Sequence, residues 1–149
     1  MKYFIYYSAT GNGDFIANKM KEKGYEPIKV EMVKPIGKVG FFKMLKYGFQ
    51  AMKNKKAEIK EIFIDLNEDD LVVIGSPIWN DRLSTPINAL LAKFNFNKEM
   101  TKFILYPAGE GTNKSFDQLA ALGFEQKPIV YSNPKKNPDN VNEIIEELF

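Results

Sequence analysis

The sequence predicts an α/β fold in which helices cover both faces of a parallel sheet. Segments with strand character alternate with segments of helical period from one end of the 149-residue chain to the other. The run from Leu71 to Gly75 is almost wholly apolar, as expected of a strand buried on both faces. Thr85-Pro86 then opens a segment whose apolar residues recur at intervals of three and four. These patterns predict five strands and five helices in one domain over residues 1–149.

The first half of the chain contains two predicted strands. Residues 3–7 form a continuous apolar and aromatic run, which is typical of a strand covered on both faces. A helix follows from about Gly13, and Gly24 marks its end. Residues 28–33 alternate apolar and charged side chains, so this second strand belongs at an edge of the sheet, where one face meets water.

Residues 35–57 form a long connection between the second and third strands. Apolar side chains at Phe41, Leu45, Phe49 and Met52 fall on one helical face, and lysines occupy much of the rest. This pattern predicts a crossover helix that covers the sheet. A helix that meets a partner, a second copy of the chain or a membrane surface is the alternative.

The second half of the chain contains three predicted strands and three predicted helices. The strand at residues 71–75 is the most apolar and belongs at the centre of the sheet. Thr85 is the predicted N-cap of the next helix, with Pro86 in its first position. The remaining elements are a strand at 102–106, a helix that ends at Gly123, a strand at 128–131 and a helix that opens at Asn137-Pro138.

The composition excludes several classes of protein. The chain has no cysteine, which excludes disulfides, thiolate nucleophiles and iron–sulfur clusters. It has no histidine, which excludes a Ser-His-Asp triad and leaves no ordinary side chain that titrates near neutral pH. Proton-transfer chemistry is therefore weak here or depends on a bound cofactor. No apolar run approaches the ~18 residues of a membrane span, and we expect a cytoplasmic location.

The net charge of +2 conceals an asymmetry along the chain. Residues 1–57 contain 12 lysines and 4 acidic residues, whereas residues 58–149 contain 9 basic and 15 acidic residues. The basic first part could attract an acidic partner or a nucleic acid. Charges scattered over solvated faces are an equally good interpretation.

Three unusual loops follow predicted strands, at the sheet edge where ligands of open parallel sheets bind. The first loop contains Ser8, Ala9, Thr10, Gly11, Asn12 and Gly13. Its glycines allow successive N–H groups to face an anion, its hydroxyls can donate hydrogen bonds, and the following helix adds a positive dipole. Because the loop lacks the lysine of a nucleotide-hydrolysing P-loop, it suits a terminal monophosphate better than a triphosphate with magnesium.

The second and third loops have features of a site for a planar ring. The second loop contains Ser76, Pro77, Ile78, Trp79, Asn80 and Asp81. Its tryptophan, the only one in the chain, offers a flat apolar face to a ring, and packing in the core is the alternative. In the third loop, Gly109 and Gly111 indicate backbone close to a ligand, with Ala108 and Glu110 beside them.

These residues resemble the flavodoxin family over nearly the whole chain. The resemblance rests on Ser-x-Thr-Gly-Asn at residues 8–12, Gly-Ser-Pro-Ile-Trp at residues 75–79, and a glycine-rich loop after the fourth strand. It implies a three-layer, doubly wound flavodoxin-like fold with a five-stranded parallel sheet of order 2-1-3-4-5. It also implies one non-covalently bound FMN.

The resemblance also implies roles for the three loops. Residues 8–13 would hold the FMN phosphate, and residues 76–82 would line one side of the isoalloxazine ring, with Trp79 stacked on it. Residues 107–111 would line the other side. The expected partners are redox proteins, without nucleic acid or a membrane span, and the expected state is a monomer or a weak homodimer.

The chain departs from the family pattern at several positions. The family usually has threonine where this chain has Gly13, which removes one hydroxyl contact, and Asp14 would repel a phosphate if it turned inward. These two departures predict weaker FMN binding than is usual. The turn after Trp79 has no glycine, and Asn80 is its residue that best tolerates left-handed geometry. The chain also lacks the strong negative charge typical of electron-carrier flavodoxins.

Three functions stay open at this point. An electron carrier between a reductase and acceptor enzymes needs no acid–base side chain. Asp81 and Glu110 would lower the flavin potential in such a carrier, unless they are only solvated loop charges. A flavodoxin-fold FMN oxidoreductase that acts on a small molecule such as a quinone needs a second pocket, which residues 35–57 would cover. A non-enzymatic interaction module would use the basic segment 43–56.

Overall fold

A computed structural model describes residues 1–37, 41–52, 55–109 and 111–148. Its strands are β1 (Lys2–Tyr6), β2 (Glu26–Lys29), β3 (Leu71–Trp79), β4 (Arg82–Leu83), β5 (Thr101–Tyr106) and β6 (Ile129–Val130). Its helices are α1 (Asn12–Glu22), α2 (Phe41–Met52), α3 (Thr85–Lys93), α4 (Asn113–Ala121) and α5 (Val141–Glu146), the last preceded by a 3-10 turn at Pro138–Asn140. Within these ranges, no helix is long and apolar enough to cross a membrane.

Five of the strands form a parallel sheet in the order β2-β1-β3-β5-β6. β3 lies at the centre, with Val73 beside Phe4 of β1 on one side and beside Lys102 of β5 on the other. This arrangement confirms the predicted 2-1-3-4-5 order of the parallel strands. The predicted strand count is wrong by one, because β3 continues to Trp79 and pairs there with the short antiparallel strand β4.

Helices cover both faces of this sheet, which confirms the three-layer arrangement. On one face, Phe4 of β1 shares a buried cluster with Ile16 of α1 and Ile145 of α5. On the other face, Ile5 of β1 shares a second cluster with Leu90 of α3. Since neighbouring residues of a strand point to opposite faces, consecutive residues of β1 enter different cores. This explains why the β1 segment is apolar without interruption.

The ends of the helices follow the predicted signals closely. Gly24 and Gly123 come just after α1 and α4, with φ values of 83° and 87°. Both glycines adopt the left-handed conformation that commonly terminates a helix, as predicted. The start of α3 differs by one residue, because Ser84 is the N-cap and Thr85 belongs to the helix.

Helix α2 lies within the long connection, where a helix was predicted. Leu45, predicted to face the core, is 56% exposed, and Phe42 is 84% exposed. Tyr47 is half-buried and packs against Trp79 instead, so the buried side of α2 is rotated away from Leu45. The other three residues predicted to face the core have side chains outside the described part of the chain: Phe41, Phe49 and Met52. Lys53 of the basic segment also lies outside the described residues.

Candidate functional site

The loop between β1 and α1 wraps around the first turn of α1. Gly11 adopts a left-handed conformation with φ of 91°, and its carbonyl oxygen accepts a hydrogen bond from the Phe15 N–H at 3.0 Å. The Asp14 N–H donates to the Ser8 hydroxyl at 3.3 Å. Because α1 begins at Asn12, the orphan N–H groups of a helix start lie within the predicted loop. This is the geometry in which proteins bind an anion at a helix N-terminus.

The six predicted residues of this loop differ in exposure. Thr10 is exposed, and Gly13 is buried. The other four residues are half-buried: Ser8, Ala9, Gly11 and Asn12. All six residues lie at or directly before the start of α1, and Thr10 is the one that is exposed.

Gly13 occupies a position where a larger side chain would not fit. A Cβ atom on Gly13 would lie 2.7 Å from the Tyr106 hydroxyl oxygen and 2.8 Å from the Tyr7 carbonyl oxygen. The Tyr106 hydroxyl donates a hydrogen bond to that same carbonyl, and Tyr106 is buried. Glycine at this position follows from close packing, since the Tyr106 phenol occupies the space that a threonine side chain would need.

Asp14 has close hydrogen-bond partners of its own. Its carboxylate forms an ion pair with Lys29 at 2.6 Å and accepts a hydrogen bond from the Tyr6 hydroxyl at 3.1 Å. Partial burial favours a raised pKa for Asp14, but hydrogen bonds, chiefly from Lys29, outweigh it and lower that pKa below its usual value. The carboxylate therefore stays ionised at neutral pH, with its charge balanced by Lys29.

The predicted second loop is largely a β-hairpin. β3 continues to Trp79, and β4 returns antiparallel, with Trp79 opposite Arg82. Asn80 and Asp81 form the two-residue turn, with φ values of 51° and 66°. Positive φ at both central residues is what a type I′ hairpin turn requires, and Asn and Asp tolerate it better than most residues. Asn80, the residue of this turn that best tolerates left-handed geometry, adopts it, and so does Asp81.

Two residues predicted to bind a cofactor from this loop are buried in the core. Ser76 and Ile78 are 0% and 2% exposed, respectively. The Ser76 hydroxyl donates to the Pro77 carbonyl at 2.8 Å and accepts from the Ser84 N–H at 3.2 Å. Because strand residues alternate between faces, the side chains of Ser76 and Ile78 point inward, whereas Pro77 and Trp79 are half-buried. The two inward side chains therefore face the core of the protein, and the role of Ser76 and Ile78 in cofactor binding stays a prediction.

Trp79 lies between the end of β1 and helix α2. Its ring meets the Tyr7 ring edge-on with centroids 5.7 Å apart, and the Tyr47 ring at 5.5 Å with an interplanar angle of 43°. Both arrangements are favourable for aromatic pairs. Half-burial leaves part of the Trp79 surface accessible at the sheet edge. Tyr47 was not predicted to lie beside Trp79, because its position in the sequence gives no sign that α2 packs against the hairpin.

The third loop is open to solvent. Ala108, Gly109 and Gly111 are all exposed, and Glu110 lies outside the described residues. Gly109 has a φ of 131°, a conformation that favours glycine. A Cβ atom on Gly111 would lie 3.2 Å from a carboxylate oxygen of Asp81, so this loop closely approaches the turn of the hairpin.

Asp81 also caps helix α4. Its carboxylate accepts a long hydrogen bond of 3.4 Å from the Lys114 N–H, and its carbonyl oxygen accepts one of 2.9 Å from the Ser115 N–H. Both donors belong to the first turn of α4, whose N–H groups have no partner within the helix. A carboxylate at a helix N-terminus also interacts favourably with the helix dipole. Asp81 therefore joins the second loop to the helix that follows the third.

Replacement of Asp81 by glycine is expected to lower the free energy of unfolding by about 1 kcal/mol, because it removes the hydrogen bond from the Lys114 N–H and the carboxylate charge at the start of α4, whereas the main-chain bond to Ser115 remains. Glycine keeps the positive φ of the turn, so the change isolates the carboxylate. Asn80→Gly is the matched control, since it alters the same turn without touching α4, and its effect should stay within about 0.5 kcal/mol. Urea unfolding followed by circular dichroism measures both. Equal stabilities of the two variants would show that Asp81 contributes only to the turn.

Lys135, which was not among the predicted site residues, reaches the first loop from the last part of the chain. Its main-chain N–H donates to Asn12 Oδ1 at 3.2 Å. Its ammonium group donates to the Thr10 carbonyl at 3.4 Å. The available signal was topological, since residues that follow the last parallel strand lie at the same sheet edge as the first loop.

Comparison with known proteins identifies the fold. No protein-family model and no curated protein matches the chain. A flavoprotein from Lactobacillus acidophilus, solved in complex with FMN, is 22% identical over 92% of this chain and 95% of its own, with a TM-score of 0.63. Proteins assigned as flavoproteins from Bacteroides uniformis and Bacteroides eggerthii are 14% and 15% identical, with TM-scores of 0.71 and 0.69. The alignment with the Bacteroides uniformis protein covers 97% of this chain and 97% of that protein. The alignment with the Bacteroides eggerthii protein covers 99% of this chain and 96% of that protein. The chain therefore has a flavodoxin-like fold.

Proposed function

We propose that the protein binds FMN and carries electrons between a reductase and acceptor enzymes. The observation that supports this proposal best is the first loop, which gathers hydroxyl and N–H donors around the start of α1 at the carboxyl edge of β1. A structural neighbour with the same fold was solved with FMN. The donor set of the loop suits the terminal phosphate of this cofactor.

The residues around the loop fit the parts of FMN. Ser8, Thr10 and the N–H groups of Asn12 and Gly13 would hold the phosphate. The accessible surface of Trp79 would contact the isoalloxazine ring on one side, and residues 107–111 would line the other. When bound, FMN supplies one-electron and two-electron redox chemistry. The protein would bind it, orient it and exclude water from part of the ring.

The side chains of this region favour electron transfer over acid–base catalysis. Burial raises the pKa of the Tyr7 hydroxyl to about 12, with a further contribution from Tyr47, so this hydroxyl stays protonated at neutral pH. The Asp14 carboxylate stays ionised because its pKa is lowered. The chain contains no histidine or cysteine to supply a group that titrates near neutrality. An electron carrier needs no such group.

A second candidate is an FMN oxidoreductase that acts on a small molecule such as a quinone. The contact between Tyr47 of α2 and Trp79 favours it, because it brings the long connection over the predicted ring site. A helix in this position could cover a second planar molecule. The two candidates share the cofactor and differ in what accepts the electrons.

Visible absorption spectroscopy with FMN tests this proposal. We expect flavin absorption bands to remain with the protein after removal of free FMN, and the fluorescence of Trp79 to be quenched. Stepwise reduction in two separate one-electron steps would favour the carrier. Turnover of a small quinone with a nicotinamide reductant and no other protein would favour the oxidoreductase. Absence of bound flavin at saturating FMN would overturn both, and the interaction module based on segment 43–56 would become the leading hypothesis.

A further inference from the structure

We propose that Lys135 supplies a cation to the phosphate site of the first loop and makes that site selective for phosphorylated flavin over riboflavin. This inference rests on the proposed binding of FMN. It concerns a residue that lies 125 positions from Thr10 in sequence but beside it in the fold. Since the first loop itself contains no lysine or arginine, Lys135 would supply the positive side-chain charge that the loop lacks.

Both the main-chain N–H and the side-chain ammonium group of Lys135 contact the first loop. Its main-chain N–H is held by Asn12 Oδ1 at 3.2 Å, and its ammonium lies 3.4 Å from the Thr10 carbonyl oxygen. A Cβ atom on Gly11 would lie 3.2 Å from the Lys135 Nζ. The cation therefore lies directly over the left-handed residue that precedes α1, within reach of a group bound at the helix start.

The segment that carries Lys135 is itself held in place. Asn133 has a φ of 47°, and its N–H donates to the Pro107 carbonyl in the third loop at 3.1 Å. The Lys136 N–H donates to the Asn133 carbonyl at 2.8 Å, and the Tyr131 hydroxyl donates to the Asn137 carbonyl. Because this backbone is ordered before a ligand arrives, less conformational entropy is lost when Lys135 contacts an anion.

The charges around Lys135 favour an anion as its partner. Within the described part of the chain, no carboxylate forms an ion pair with Lys135, whereas Asp14 in the first turn of α1 is paired with Lys29. An ammonium group has three protons, and the Thr10 carbonyl accepts one of them through a long hydrogen bond. A phosphate monoester carries a charge of about −1.5 to −2 at neutral pH. The helix start contributes only about half a positive charge, so a full cation from Lys135 adds substantially to the attraction.

Binding of FMN and riboflavin to wild type and to Lys135→Met tests the inference. Riboflavin has the same ring and lacks the phosphate, so it serves as the probe without the anion. Loss of a charged hydrogen-bond donor in a partly exposed site is expected to weaken FMN binding about tenfold. Riboflavin binding should change less than about twofold. Lys136→Met is the matched control, and it should leave both affinities unchanged.

Two further measurements separate a direct charge effect from a structural one. Lys135→Arg keeps the cation and should retain most of the preference for FMN. Added salt should weaken FMN binding to wild type more than to Lys135→Met, because it screens the attraction of Lys135 for the phosphate.

The outcomes distinguish this inference from the proposed function. If wild type binds neither flavin, the proposed function fails and the inference fails with it. If wild type binds FMN and Lys135→Met binds it equally well, only the inference is overturned. A similar loss of FMN and riboflavin in Lys135→Met would also overturn it, because Lys135 would then support the shape of the loop.

Discussion

Replacement of Gly13 by alanine is expected to lower the free energy of unfolding by about 1–3 kcal/mol, the usual loss when a packed region is overfilled. The new methyl group would lie 2.7 Å from the Tyr106 hydroxyl oxygen and 2.8 Å from the Tyr7 carbonyl oxygen. Because the second neighbour is backbone, the start of α1 must shift. FMN binding should weaken as well, since the same shift moves the N–H groups that would face the phosphate. Urea unfolding and flavin titration measure the two effects.

Two other variants identify which contact causes the loss. Tyr106→Phe removes the hydroxyl oxygen, so Gly13→Ala should be less destabilising in that background, although the contact with the Tyr7 carbonyl remains. Gly111→Ala is the matched control, because its new Cβ atom would meet only the side chain of Asp81, at 3.2 Å. A loss in Gly13→Ala no larger than in Gly111→Ala would contradict close packing as the reason for glycine at position 13.

Replacement of Trp79 by alanine is expected to weaken FMN binding by about 1–3 kcal/mol, because it removes the proposed ring contact. The same change should lower the free energy of unfolding by about 1–3 kcal/mol, since the Trp79 ring packs against Tyr7 and Tyr47. Flavin titration and urea unfolding report the two losses separately. Trp79→Phe keeps an aromatic ring and should retain a substantial part of both.

Tyr47→Leu separates the two roles of Trp79. It removes the aromatic contact with α2 but leaves the Trp79 ring in place. If Trp79 touches the flavin, Tyr47→Leu should reduce stability and change FMN affinity much less than Trp79→Ala does. Equal losses of affinity in the two variants would indicate that Trp79 acts by holding α2. Unchanged affinity in Trp79→Ala would return this residue to a packing role.

The sequence predicted the arrangement of the main elements because residues that are buried in strands and helices are apolar and recur at regular intervals. The uninterrupted apolar run of β1 reflects its contact with two cores, and the alternation of strands with helices requires parallel crossovers. Gly24 and Gly123 marked helix ends because few other residues adopt a left-handed conformation readily. The order of the parallel strands came from the resemblance of the loop motifs to flavodoxins, and the structure confirms it.

Predictions were weaker where two types of local structure share one composition. Residues 75–81 have the glycine, proline and asparagine expected of a loop, yet β3 continues through them to Trp79. The signal for a hairpin was the two-residue turn of Asn80 and Asp81. This turn lacks the glycine that usually identifies a two-residue hairpin turn, so residues 76–79 were not predicted to be a strand. For this reason the burial of Ser76 and Ile78 was not predicted either.

By itself, the sequence determined the fold class, the position of three loops at one sheet edge, and the absence of histidine and cysteine chemistry. These properties follow from composition and from periodicities that each segment carries alone. Only the tertiary structure decided that Tyr106 occupies the space beside Gly13, that Asp81 caps α4 and that Lys135 lies on Thr10. Each is a contact between residues that lie 33 or more positions apart in sequence. Such pairs depend on how helices and loops pack against the sheet, and side-chain spacing along the chain carries no record of that packing.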